Sequence, residues 1–532
     1  MNKRFSRIAT TLAVALTLAL SAFAQETSTK GNLAGVVADK TGAVVVGAKV
    51  TMTGPTGTRA TDTDKDGRFL FSTLDPGAYS ITLEPGAVTE TVEVSASAVA
   101  VDTTSTAIST NLTDEFYSKV PIGRGVANLF YTAPGVASGG ATGNSNPSIS
   151  GSSGLENTYV ADGVNITDSA FGGLGTFTRA QGSIGTGINL SFIKEVQVKT
   201  SGFEPQYGQS DGGIIQIVTK TGGNAYHGAI AGYASPQDLK ANPLLRDDFR
   251  VNKIGKQPGD SNYDASGELG GYIPHFKDHL FFFASGDPSW RINPRQTVPT
   301  APLAATLPLI NQRTTTYNYD AKLTWHINDS HQLEGSIFAD PSHTNVGAFN
   351  LASLNASNNT GFSRLNYGTR NVVGRYNGTL SPTWLVNGSF AYNTNNFTET
   401  PGFDVYQVVD RTTSVTRTLQ GFGLLENHDA HTYKVSGDTS KIVNALGQHT
   451  FSVGYMWENP NYTDVKARSG GRYVVPATNL QGGSWLPTTN SPAGKMSDAQ
   501  FNLLKSPTDS NGNFTCTLCT LYPVNGRFMG NE

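Results

Sequence analysis

Between Tyr317 and Ile327 every odd position is apolar and every even one polar. Tyr317, Tyr319, Ala321, Leu323, Trp325 and Ile327 alternate with Asn318, Asp320, Lys322, Thr324 and His326. Successive side chains of a strand point to opposite faces, so this run reads as a strand with one apolar and one polar face. Asn328-Asp329-Ser330 turns the chain, and Leu333, Gly335, Ile337 and Ala339 repeat the pattern. Val372, Gly374, Tyr376, Gly378 and Leu380 lead through Ser381-Pro382 into Trp384, Val386, Gly388, Phe390 and Tyr392. Phe451, Val453, Tyr455 and Trp457 do the same. Two architectures accept such strands: a large soluble sandwich, solvated on one side, and a transmembrane barrel with a lipid-facing belt and a polar lumen. Alternation alone does not separate them.

The N-terminus narrows the choice. Lys3, Arg4 and Arg7 precede the apolar run Ile8 to Leu20, and Ala22-Phe23-Ala24 supplies a small-x-small cleavage site, so residues 1–24 read as a secretory signal peptide. The run is too short for a membrane anchor, which needs about 20 apolar residues, and no cysteine follows the cleavage site for lipid attachment. Cleavage leaves 35 basic and 41 acidic groups, a formal charge of −6. No later apolar run reaches helix-spanning length. The exported chain is therefore either soluble or crosses an outer membrane as a β-barrel, the other fold that satisfies its backbone in lipid.

Composition agrees with a glycine-rich, charge-poor β protein: 59 glycines in 532 residues and 15% charged. Hydrophobic residues at 37% exclude wholesale disorder. The acidic balance carries no footprint of a nucleic-acid binder. Two cysteines exclude a disulfide-built scaffold and a multi-cysteine metal protein.

Residues 31–95 read as a small all-β domain. Strands Leu33–Ala38, Ala48–Thr53, Arg68–Ser72 and Tyr79–Leu83 are separated by turn signals at Gly42, Gly54-Pro55, Asp66-Gly67 and Asp75-Pro76-Gly77. The series Gly35-Val36-Val37-Ala38-Asp39, Gly47-Ala48-Lys49-Val50, Asp66-Gly67-Arg68-Phe69 and Leu74-x-Pro76-Gly77-x-Tyr79 resembles the carboxypeptidase regulatory-like domain. That family implies a transthyretin-like sandwich of the carbohydrate-binding-like fold, without peptidase activity. Asp62-x-Asp64-x-Asp66-Gly67 copies half a calcium loop, but Thr73 stands where the bidentate Glu belongs and a strand follows at once. A polar hairpin turn is the better reading.

A Ser/Ala/Thr-rich linker, 96–110, leads to a segment at 111–224. It contains Val120-Pro121-Ile122-Gly123-Arg124, Pro134-Gly135-Val136, Asp162-Gly163-Val164, Ile193-Lys194-Glu195-Val196-Gln197-Val198 and Tyr207-Gly208 through Gly212-Gly213 to Thr219-Lys220-Thr221-Gly222. In order and spacing these resemble the plug of TonB-dependent outer-membrane receptors, Oar-like branch, over residues 31 to about 290. Arg124, Asp162, Glu195 and Lys220 are polar groups a plug could set against a polar wall, and Gly212 and Gly213 allow close backbone approach. Two enzyme-like strings fail. Gly208-Gln209-Ser210-Asp211-Gly212 is followed by β-branched Ile214 to Val218 rather than the helix a nucleophile elbow needs. His275-x-x-x-His279 follows Pro274, lacks an adjacent Glu and continues into Leu280-Phe281-Phe282-Phe283, so it reads as a turn between strands. No catalytic residue, metal site or cofactor site is expected.

The fold class expected is all-β dominated: an N-terminal sandwich, a small α+β plug, then an antiparallel transmembrane barrel over 225–532. Plugged-lumen transporters use about 22 strands, whereas ten or eleven are recognisable here, with loop-like stretches at Arg291–Arg313 and Thr463–Asn511. The barrel is therefore expected to be incomplete, the N-terminal part of a longer receptor or a natural truncation. Cys516-Thr517-Leu518-Cys519, in an exported chain, reads as a small disulfide in an external loop.

The resemblance implies a receptor/transporter in a bacterial outer membrane, with its N-terminal domain in the periplasm. Its partners would be a TonB-type energy-transducing protein, outer-membrane lipid and an external substrate such as a glycan, peptide or chelate, with no nucleic acid. The alternative is a non-transporting structural or adhesive surface protein.

Thr89-Glu90-Thr91-Val92-Glu93-Val94 resembles a TonB box. Thr91, Val92 and Val94 are β-branched and the segment is free of proline, as strand addition to the partner's sheet requires. The competing reading is the last strand of the sandwich, already paired. Val92→Pro removes a backbone donor and is expected to abolish energy-dependent uptake with export, assembly and surface binding intact. Full uptake by this variant would refute the box, and loss of surface protein would favour the core strand.

Overall fold

The computed structural model describes residues 31–38, 43–54, 57–74, 79–84, 108–140, 145–178, 182–203, 210–240, 259–296, 309–345, 363–381, 383–401, 408–410, 417–420, 424–444, 448–468, 472–474 and 521–523. The signal peptide, Thr89–Val94, and the Cys516 and Cys519 pair lie outside the described residues. Among the described residues no helix is long and apolar enough to cross a membrane.

The N-terminal domain has two small sheets. β1 (Gly31–Val36) pairs with β4 (Arg68–Leu74), while β2 (Lys49–Gly54) lies between β3 (Gly57–Asp62) and β5 (Ser80–Glu84). Their inward residues Val50, Met52, Phe69, Phe71 and Leu74 form one core. Strand β3 was not legible in the sequence, because its Thr-Arg-Ala-Thr-Asp run carries little apolar signal. At the candidate calcium loop, Asp64 Oδ1 accepts from the amides of Asp66 and Arg68, each at 2.9 Å. Gly67, with φ +68°, completes the hairpin turn.

The second unit is a five-stranded sheet ordered β8-β7-β10-β9-β6. The strands are β6 (Ile108–Thr113), β7 (Thr158–Ala161), β8 (Val164–Asn165), β9 (Ile193–Ser201) and β10 (Ile214–Thr219). β6 begins three residues inside the segment read as linker and pairs with β9. Thr113 caps the short helix α1 (Asp114–Lys119), accepting from the Phe116 amide. α2 (Val126–Phe130) buries Leu129 and Phe130 against Tyr159, Phe192 and Ile217. A Cβ on Gly212 would lie 2.4 Å from Asn157 Oδ1, and one on Gly213 2.5 Å from Ile149, so neither position accepts a side chain without displacement.

The third unit is an antiparallel sheet of ten strands, forming nine staves: β11 (His227–Ser235), β12 (Ser261–Tyr272), β13 (Leu280–Gln296), β14 (Leu309–Asn328), β15 (His331–Ala339) continued by β16 (Ser342–Thr344), β17 (Arg364–Ser381), β18 (Trp384–Thr400), β19 (Leu424–Asn444) and β20 (Gln448–Arg468). Much of the expected loop Arg291–Arg313 is paired strand, with Ile292 opposite Arg313 and Asn293 opposite Gln312. The ends of β13 and β14 lie beyond the apolar belt and so lack the alternation that betrays a strand. Likewise β20 runs to Arg468, paired with Leu424.

Alternation maps onto two faces. On β14 the odd residues Tyr317 to Ile327 face outward, while Asp320, Lys322 and Thr324 are buried on the inner side. The inner face wraps the plug. Connections at one end are short, as at Asn328–His331 and Ser381–Trp384. At the other end they are long, as at Ser235–Ser261, Thr344–Arg364 and Thr400–Leu424. The sandwich meets the short-turn end, where the Arg59 guanidinium donates to the Asp329 carbonyl. His275, with φ +74°, and His279 lie in the short Tyr272–Leu280 turn.

If the outward stripe faces hydrocarbon, Leu323→Arg near its middle is expected to destabilise the protein by about 2–4 kcal/mol. Urea unfolding in lipid vesicles measures this, and an unchanged midpoint would remove that face from the bilayer.

Candidate functional site

The plug's Asp162-Gly163 dipeptide is the two-residue turn joining β7 to β8, with Val164 opposite Ala161. Both residues have positive φ, +46° and +79°, as a type I′ hairpin turn requires. The turn presents Asp162 to the wall. Its carboxylate accepts from the Thr219 amide (3.0 Å) and hydroxyl (2.5 Å) within the plug, and from Lys322 Nζ of β14 at 3.1 Å. Lys322 also lies 3.8 Å from Glu334 of β15 and donates to Thr219 Oγ1 at 3.0 Å. The Lys322 side chain is 2% exposed and that of Asp162 5%. Arg375 of β17 donates to the Asp162 carbonyl. A Cβ on Gly163 would fall 2.1 Å from Arg375 Nη1, so glycine is needed here for contact as well as conformation.

Further grips surround this node. Asp340, just after β15, points inward, and its carboxylate accepts from the Thr186 amide at 2.6 Å and the Thr369 amide at 2.7 Å. Asn189 donates to Asp320 at 3.0 Å, and the Thr432 hydroxyl of β19 meets Ser169 at 2.8 Å. Lys220 pairs with Glu268 of β12 at 2.8 Å. Arg124 lies 3.4 Å from Asp264 and 3.7 Å from Asp287, over the ring of Tyr233. Arg124, Asp162 and Lys220 thus each touch the wall. Glu195 does not join them: its charged neighbours are Lys194 and Asp114 of the plug, and burial holds its carboxyl above the usual range. Gly212 and Gly213 act inside the plug, against Asn157 and Ile149. An apolar contact also crosses the boundary, where Phe192 packs on Phe283 and Phe338.

Toward the long-connection end the plug loop carrying Phe171 and Phe177 meets His428 and Tyr462. Ring centroids of His428 and Tyr462 are 4.7 Å apart. Asp168 lies beside them, and burial raises its carboxyl, partly offset by the Ala170 amide. Its Oδ2 and His428 Nε2 are buried without a hydrogen-bond partner among the described residues. Sequence reasoning missed this cluster, because its members are scattered along the chain without a shared motif. Lys322, Glu334, Asp340 and Arg375 were missed as site residues too, although Lys322 stood out as a charge on the polar face of a strand.

A plug gripped by the polar inner face of an antiparallel wall defines the class: the chain resembles TonB-dependent outer-membrane receptors. Residues 32–113 match the carboxypeptidase regulatory-like domain. One curated relative is the TonB-dependent transporter Oar of Myxococcus xanthus, 23% identical over 448 residues covering 69% of this chain and 41% of that protein. The chain thus spans less than half the length of this curated relative. Solved structures of similar course include the outer membrane transporter YddB from Escherichia coli (13% identity, TM-score 0.48, 69% of this chain and 55% of that one). Another is the siderophore receptor PirA from Acinetobacter baumannii (13% identity, TM-score 0.47, 71% and 52%). The protein is placed in the outer membrane, with the sandwich on the periplasmic side.

Asp162→Ala removes one of the two carboxylates within ion-pair distance of Lys322 among the described residues, leaving Glu334 at 3.8 Å. Breaking a buried pair costs roughly 3–5 kcal/mol, and the residual Glu334 contact puts the expected loss near the lower end, about 3 kcal/mol. Urea unfolding of the purified protein checks it. Adding Lys322→Met should recover part of the loss, because the buried charge is then gone.

Proposed function

We propose that this chain is the gating part of an outer-membrane transporter that takes up an external substrate when the plug is moved. The observation that carries the reading is the chemistry of the plug–wall boundary. Its contacts to β12, β13, β14, β15, β17 and β19 are mostly hydrogen bonds and ion pairs, made by Glu268, Asp287, Lys322, Asp340, Arg375 and Thr432 among others. Each neutral hydrogen bond contributes only about 0.5–1.5 kcal/mol net and each one to a charged group about 1.5–3 kcal/mol, because water replaces it when the surfaces part. A boundary of this kind opens at far lower cost than a continuous apolar core.

In this reading residues 31–95 form the periplasmic sandwich, 96–107 the linker, 108–224 the plug, which begins with β6, and 225–532 barrel wall with its loops. Thr89–Val94 is the contact for a TonB-type protein, and Cys516 and Cys519 form a disulfide in an external loop. The chain acts as a binding and transport protein, not an enzyme. The ring cluster of Phe171, Phe177, His428 and Tyr462 lies toward the long external loops, where substrate would arrive. Its flat faces and the nearby Asp168 carboxylate suit a ligand with both rings and hydrogen-bond donors.

A disulfide between plug and wall tests the moving plug. Ser169 and Thr432 hydroxyls are 2.8 Å apart on opposite sides of the boundary. The oxidised Ser169→Cys/Thr432→Cys variant is expected to lose energy-dependent uptake almost completely and regain it on reduction, with each single variant near normal. Full uptake by the oxidised, demonstrably crosslinked protein would overturn the mechanism.

A further inference from the structure

We propose that the outer face of the wall carries a seat for a phosphorylated glycolipid headgroup of the outer leaflet, centred on Arg370. The seat is a crevice of about 640 Å³ between β14, β16, β17, β18 and β19. Its rim includes Tyr317, Tyr319, Tyr392, His343, Arg370 and His431.

The crevice has a structural cause. The fifth stave breaks at Asp340-Pro341 without a change of register: Ala339 stands opposite Arg370 and Ser342 opposite Tyr367. Pro341 has no N–H to offer a ladder, and the Asp340 carboxylate takes the Thr369 amide. Gly368 lies across from the break, where a Cβ would come 2.8 Å from the Asp340 carbonyl oxygen. Proline and glycine therefore leave the outer side of the wall without bulky side chains at this point.

Its height along the stave selects the ligand. From the short-turn end, the outward residues of β14 run Ile327, Trp325, Leu323, Ala321, Tyr319 and Tyr317, and then turn polar at Thr315 and Arg313. Tyr317 and Tyr319 thus mark the outer border of the apolar stripe, the level of headgroups. Arg370 is exposed beside them, and among the described residues it has no ion-pair partner. The carboxylate in the lining, Asp429, is engaged: Oδ2 lies 3.8 Å from His431 Nδ1, and Oδ1 is 2.9 Å from the Asn396 amide in its satisfied orientation. His343 Nδ1 lies 2.7 Å from Asn366 Oδ1. An unpaired guanidinium is suited to a phosphate, which it can hold by two parallel bonds. Three tyrosine rings with amide and imidazole groups suit the faces and hydroxyls of a sugar. The volume far exceeds a lone phosphate, which favours the whole headgroup.

The test uses the full chain in detergent, offered bis-phosphorylated lipid A, its dephosphorylated counterpart or inorganic phosphate, with retention read by native mass spectrometry. One phosphorylated lipid per chain should be retained. Arg370→Ala should weaken retention about tenfold, the loss of one charge-assisted contact. Arg370→Lys should fall between the two, and Arg364→Ala, outside the crevice on the same stave, should bind as the parent does. His343→Gln gives a second, smaller reduction if Arg370→Ala does not assemble. Equal retention of the dephosphorylated lipid, binding of inorganic phosphate as strong as that of the lipid, or unaltered binding by the Arg370 and His343 variants would each overturn the proposal. Transport does not enter the readout, so its failure and that of the transporter reading remain distinct.

Discussion

A backbone crossing hydrocarbon has to give every N–H and C=O to a neighbour, and the rest of this molecule follows from that requirement. A sheet that meets it has two faces and a side-chain period of two, so the lipid face takes every second residue. On β14 that face takes Tyr317 to Ile327, and the residues between them are forced inward. They are Asp320, Lys322 and Thr324, all buried. An apolar exterior thus comes with a polar interior, and the interior needs either water or partners.

The plug supplies partners, chiefly through turns rather than through strand faces. A two-residue Asp-Gly turn places a carboxylate at its tip, and Asp162 meets Lys322 there. The loop from Gly185 to Gly187 approaches so closely that a Cβ at Gly187 would lie 1.9 Å from Thr369 Oγ1. Glycine at such points lets main-chain amides reach wall carboxylates directly, as the Thr186 amide does at Asp340. Desolvating Lys322 costs several kcal/mol on its own, so two carboxylates and a hydroxyl around it are a condition of the fold. The net stabilisation is small, and the gain is registry: one position of the plug satisfies the charge.

What the sequence disclosed and what it concealed divide along the same lines. Strands that touch lipid were legible, because lipid enforces alternation: the outward sets on β14, β15, β17 and β18 are the residues read from the sequence. The Asp66-Gly67 turn was legible because its chemistry is local, whereas Asp162-Gly163 stood out only as part of a strand motif and proves to be the turn between two strands. Strand β3 and the polar ends of β13 and β14 were not, since pairing beyond the belt places no demand on side chains. Strand β16 was hidden for another reason. Asp340-Pro341-Ser342 carries turn signals, and only the plug loop opposite explains why a stave passes through them. The candidate site was half visible. Arg124, Asp162 and Lys220 stand in motifs, but their wall partners Asp264, Lys322 and Glu268 come from strands whose order along the wall must be known first.

The break at Asp340 shows how the two faces of such a wall depend on each other. A continuous ladder would pair the Thr369 amide with the Asp340 carbonyl, whereas here that amide goes to the Asp340 carboxylate. The Asp340 amide still donates to the Thr369 carbonyl at 3.2 Å, and the carboxylate takes the Thr369 amide on one oxygen and the Thr186 amide on the other, which ties stave to stave and stave to plug at one residue. The same opening needs a residue without an N–H on one stave and one without a Cβ on the next, which are Pro341 and Gly368. Small or donor-less residues on a lipid-facing surface leave a depression, and at this height the depression is rimmed by Tyr317, Tyr319 and Arg370. A wall one residue thick cannot be modified on its inner side alone. The grip on the plug and the shape offered to the membrane are two consequences of one interruption in the hydrogen-bond ladder.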